Sequence, residues 1–180
     1  MTKGMAQNLD QKIANSSAYR KSREENSQYI FDNPQLFPEL VYYALNSKKK
    51  DHYKACWILE LVLEKKPHLL VPFLSIFCDN LPAITNLGAL RSLSKICLFL
   101  TKSISLSPNQ ENKITESCLD WLILENVKVA TKAYSIRTLF ELGKNQDWIY
   151  PELKRIVEDD YTKYSAAYKA VTREILKKIK

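Results

Sequence analysis

Pro34-Gln-Leu-Phe-Pro38-Glu-Leu40 is answered further along the chain by Pro67-His-Leu-Leu-Val-Pro72-Phe-Leu74 and by Asp147-Trp-Ile-Tyr-Pro151-Glu-Leu153. Each segment opens an amphipathic helical stretch, and a second such stretch follows it. One helix pair cannot bury its apolar stripe alone, so repeated pairs predict neighbours stacked on a continuous core. The unit starts at Pro34, Pro67, Pro108 and Asp147 lie 33, 41 and 39 residues apart, which suits a two-helix repeat.

Working outward from these starts, Asn33-Pro34 reads as an N-cap followed by a proline in the first turn. The helix it opens presents Phe37, Leu40, Val41, Ala44 and Leu45 at helical spacing. Asp51 is expected to cap a partner helix over 51–64, with Ala55, Ile58, Leu59 and Val62 inward. The second unit starts at Pro67 and its first helix stops at Pro82, with a partner over 86–102. Ser107-Pro108-Asn109-Gln110 carries both a first-turn proline and a capping box. Its partner helix, 128–142, is expected to end on Gly143 as a left-handed cap. A last pair covers 147–158 and 165–180. Ahead of the repeats, a helix over 18–31 is expected, while residues 1–17, with only Leu9 and Ile13 as inward candidates, read as a flexible tail or frayed helix. The expected organisation is therefore one helical domain over 18–180.

Composition agrees with an all-α class. Hydrophobic residues make up 46% of 180, which excludes a disordered chain. Only three glycines occur, too few for the tight turns and phosphate loops of most β and nucleotide-binding folds. No apolar run reaches the roughly 18 residues of a membrane span, and the opening Met1-Thr-Lys-Gly-Met-Ala-Gln-Asn lacks the apolar core of a secretory signal, so a cytoplasmic location is expected. Cys56, Cys78, Cys97 and Cys118 each fall in an apolar stripe and form no closely spaced pair, which predicts buried reduced thiols.

The tetratricopeptide Trp-x2-Leu-Gly-x2-Tyr run and the ankyrin Thr-Pro-Leu-His tetrapeptide are both absent. With proline in the first helix of a pair, and an alanine followed by apolar positions three and six residues on in the second, residues 34–180 resemble HEAT or armadillo-like repeats. The resemblance implies a short right-handed α-solenoid, an α-α superhelix, of about four helix pairs plus an N-terminal helix. Lys54-Ala-Cys-Trp-Ile-Leu-Glu60, Lys66-Pro-His68, Lys128-Val-Ala-Thr-Lys-Ala-Tyr134 and Ser165-Ala-Ala-Tyr-Lys-Ala170 are similar to stretches of small bacterial HEAT-like proteins, some named adenylosuccinate lyase. The lyase loop reads Gly-Ser-Ser-x-Met-Pro-x-Lys-x-Asn. Here Ser16-Ser17 continues as Ala18-Tyr19 and no Met-Pro occurs, so no lyase residue transfers.

Chemistry is poorly represented. His52 and His68, the only histidines, sit at helix starts and are expected to be solvated. Gly-x-Ser-x-Gly, His-Glu-x-x-His, P-loop and Gly-x-Gly-x-x-Gly patterns are missing, so no catalytic, cofactor-binding or metal-binding residue is nominated and no enzyme or cofactor is expected.

Charge is more informative. The four second helices carry twelve Lys or Arg and five acids, leaving fifteen of each sign elsewhere, so the formal charge of +7 resides on them. By the resemblance, second helices line a concave face, which would be basic and would attract an acidic protein or peptide, or nucleic-acid phosphates. The DNA alkylation-repair HEAT proteins offer a precedent for a basic groove with aromatic residues. The expected partner-binding set is Lys54, Trp57, Arg91, Lys95, Lys128, Lys132, Tyr134, Arg137, Tyr168, Lys169 and Arg173. No membrane partner is expected.

Overall fold

The computed structural model describes residues 3–160 and 163–179, with side chains from residue 8 onward. Among these residues there are ten α-helices and no strand: α1 Lys3–Asn15, α2 Arg20–Asp32, α3 Phe37–Leu45, α4 His52–Lys65, α5 Leu74–Asn80, α6 Leu87–Ser103, α7 Pro108–Ile123, α8 Val129–Leu142, α9 Ile149–Asp160 and α10 Ala166–Leu176. The chain divides into two compact units, Met1–Leu93 and Ser94–Lys180.

In the first unit α4 is the centre, packed by α1, α2, α3 and the 3-10 segment Pro67–Phe73. Its burial follows from composition: Ala55, Cys56 and every residue from Ile58 to Leu63 are buried, so apolar side chains face neighbours on nearly all sides. Where a tail or frayed helix was expected, α1 places Leu9 and Ile13 in the core against this hub. Two apolar residues four apart suffice to dock a short helix when a wide apolar partner is available.

The prolines shape the entries to the repeats. Pro34–Leu36 and Pro67–Phe73 are 3-10 turns rather than first α-turns, because closely spaced prolines remove backbone donors from the α ladder. Asn33 does not N-cap with its side-chain oxygen; its amide donates to the Tyr29 carbonyl at 3.0 Å and closes α2 instead. The Leu36 N–H is met by the Asn33 backbone carbonyl at 2.9 Å, while the last carbonyls of α2 need donors.

In the second unit α8 holds the equivalent position, packed by α7, α9 and α10. The capping box at α7 forms as its sequence suggests: Ser107 accepts from the Gln110 backbone N–H, and the Gln110 side chain accepts from the Ser107 N–H. Gly143 departs from expectation, with φ −62° in the right-handed region. Its lack of a side chain serves close approach, since a Cβ there would lie 2.1 Å from Cε1 of Tyr150. The Tyr150 ring stacks on Phe140 at 5.8 Å, and its hydroxyl donates to the Phe140 carbonyl at 3.2 Å. All four cysteines are buried and unbridged. Burial pushes the Cys56 thiol pKa up.

Candidate partner-binding surface

The first unit receives Lys54, Trp57 and Arg91 from the expected set. Lys54 donates to the Ala14 carbonyl at 2.5 Å and pairs with Asp51 at 3.3 Å, so it ties the end of α1 to α4. That bond places a cation at a helix C-terminus, where orphan carbonyls favour it. Trp57 is half-buried, edge-on to Tyr53 at 5.0 Å. Arg91 meets Glu60 at 2.7 Å, and the Ser92 hydroxyl donates to the same carboxylate oxygen at 2.6 Å. Glu60 is 1% exposed. It is an internal charge, neutralised by contact, and Arg91 is committed to it.

His52, expected to be solvated, is buried, and its Nδ1 lies 3.2 Å from the Ala44 carbonyl, a contact that requires the proton on Nδ1. His68 is exposed.

The second unit receives the remaining eight. Lys132 is 0% exposed: its ammonium donates to the Leu122 carbonyl, lies 4.4 Å from the centroid of the Tyr164 ring, and has Asp160 at 3.9 Å. It joins α8 to the ends of α7 and α9 and is closed to solvent. Tyr168 is wholly buried against Tyr164, with ring centroids 4.9 Å apart, and so offers no free stacking face; burial raises its hydroxyl pKa, and the charge of Asp160 adds to the effect. Arg137 grips Glu174 in a forked pair, 2.7 and 3.4 Å, that links α8 to α10. Lys95 lies over the Phe99 ring at 5.3 Å, Tyr134 and Lys169 are half-buried, and Lys128 is exposed at the start of α8.

Arg173 opens onto a groove. An open depression of about 570 Å³ is lined by Ala170, Arg173, Glu174, Lys177 and Lys178. Arg173 on α10 and Lys177, which caps the end of that helix, stand about one turn apart, exposed, and neither meets a carboxylate among the described residues. Glu174 binds Lys178 at 2.9 Å as well as Arg137, and these hydrogen bonds, that to Lys178 foremost, hold its carboxyl pKa below the ordinary range. The groove thus has one satisfied acid and two uncommitted cations. Lys180, part of the cationic count, lies outside the described residues.

The sequence-based set therefore separates. Lys54, Arg91, Lys132 and Arg137 join elements within their own units, and Tyr168 is core. Lys177 and Lys178, left off the set, line the groove with Arg173. Glu60 was also missed, although a lone acid between Leu59 and Leu61 in an uninterrupted apolar stretch is a legible sign of a buried charge.

Comparison with known proteins bears on what such helix pairs are. A HEAT repeat domain model matches residues 5–179. The chain belongs to the HEAT repeat family. The HEAT repeat match begins within α1, in keeping with the buried Leu9 and Ile13. No curated protein and no solved structure matches the chain. Among the described residues, no group of three or more His, Cys, Asp or Glu could hold a metal ion, and no helix is long and apolar enough to cross a membrane.

Proposed function

We propose that this HEAT repeat protein is a non-catalytic interaction module that binds an acidic protein or peptide segment on the α8–α10 surface of its second unit. The observation that carries this is the pair Arg173 and Lys177, exposed on successive turns beside an open groove and lacking carboxylate partners among the described residues. Cations in that state lose no existing pair when an acidic ligand arrives, whereas Arg137 would have to release Glu174. Helical repeats supply contact area without requiring a reactive cluster.

Fluorescence anisotropy with a labelled oligoglutamate peptide tests the proposal on the full chain. Binding is expected to weaken about tenfold in the Arg173→Glu, Lys177→Glu double variant and to fall with salt. Equal affinity of that variant and the parent would refute the surface. Tighter, steeply salt-dependent binding of a short DNA duplex would instead make phosphate the ligand.

A further inference from the structure

A second candidate site lies in the first unit, among residues outside the cationic set. Ile30, Phe31, Pro34, Phe37, Pro38, Lys66 and Leu69 enclose a pocket of about 210 Å³. The floor is apolar: Ile30 and Phe37 are buried, while Phe31 and Leu69 are half-buried and form its accessible walls. The lip is cationic. The ammonium groups of Lys65 and Lys66 lie 5.4 and 5.2 Å from the centroid of the Phe31 ring. Both lysines are exposed, and neither meets a carboxylate among the described residues. Asp32, next to Phe31 in the chain, is held by the Gln28 amide at 2.8 Å.

The pocket adjoins an exposed aromatic surface. Phe37 touches Phe73 edge-on at 5.9 Å, Phe73 touches Tyr42 at 6.0 Å, and Tyr42 is 54% exposed, as is much of Val71. A lining and apron of this kind remain wetted until something apolar covers them.

Size and charge together narrow the occupant. Sites for drug-sized molecules span roughly 300–1,000 Å³, so this pocket accepts about one bulky side chain rather than a whole cofactor. Two lysines at its lip favour a carboxylate beside that side chain, and the aromatic apron suits a peptide continuing outward. We infer that the pocket is an anchor site for an acidic peptide segment carrying one large apolar residue, Leu or Phe, flanked by Asp or Glu. The inference stands independently of the α10 groove, which lacks an apolar floor of this kind and makes no demand for an anchor.

The test is a titration of the ¹⁵N-labelled full chain with an acetylated seven-residue peptide of six Asp and Glu around a central Phe, alongside the same peptide with Ser at the centre. Shift changes are expected at Phe31, Lys66 and Leu69, with at least tenfold weaker binding there for the Ser peptide. Lys66→Glu is expected to weaken the Phe peptide about five- to tenfold; its side chain is exposed, so the fold is retained even if Phe31→Ala proves unstable. Equal binding of the Phe and Ser peptides, indifference to Lys66→Glu, or shifts confined to Arg173 and Lys177 would overturn the anchor site. The last result would leave the α10 surface supported, and shifts at Phe31 alone would do the reverse.

Discussion

In the first unit the internal charge is an acid, Glu60, neutralised at contact distance by Arg91 at 2.7 Å and accepting a hydrogen bond from the Ser92 hydroxyl at 2.6 Å. In the second it is a base, Lys132, which meets a carbonyl, the face of Tyr164 and a carboxylate only as near as 3.9 Å. Both sit on the central helix of their unit, α4 or α8. The difference lies in how each charge is compensated. Glu60 meets a guanidinium at contact distance, whereas Lys132 shares its charge among a carbonyl, a ring face and a more distant carboxylate and also fills space with its four-carbon stem.

The sharpest way to break this comparison is Arg91→Met. It leaves the Glu60 carboxylate buried with its guanidinium partner removed, and a loss of about 3–5 kcal/mol is expected in urea unfolding, with hydrogen exchange in α4 accelerated first. Adding Glu60→Leu should recover most of it, because an apolar pair of matching volume needs no compensation. Lys132→Met is expected to cost less, about 1–3 kcal/mol, since the stem is kept and the main defect is an unsatisfied Leu122 carbonyl. If the two methionine variants lose equal stability, concentrated and distributed compensation do not differ.

The smallest expected effect concerns Glu174, a surface acid of the second unit. Its pKa is lowered in the folded protein, foremost by the Lys178 hydrogen bond, so its contribution to stability is present above the ordinary glutamate value of about 4.3. That contribution disappears as pH falls through the lower folded value. A ¹³C titration should show a midpoint below the ordinary one, moving upward in Lys178→Met more than in Arg137→Met. The accompanying stability change is small because both partners are more than a third exposed.

How much of the fold is legible in the sequence follows from the range of each force. Helix pairing, the capping box at Ser107 and the buried thiols are local or periodic, and residues within one turn or one stripe announce them. The destiny of individual cations is not local. Lys132 and Arg173 look alike in a string, yet one is wholly buried and the other lines an open groove. Lys54 belongs to the cationic count of the second helices, and its partner, the Ala14 carbonyl, lies 40 residues away on docked α1. Gly143 shows the same limit, for its reason is a tyrosine seven residues away rather than its own φ.

The buried thiols carry a practical consequence. Cys56 and Cys78 belong to the first unit, Cys97 and Cys118 to the second. A thiol enclosed in packed side chains reacts with an alkylating reagent only when its surroundings open. The polypeptide therefore comes with two native clocks in each half, and the order in which their masses change under a pulse of iodoacetamide tells whether the halves breathe separately or as one.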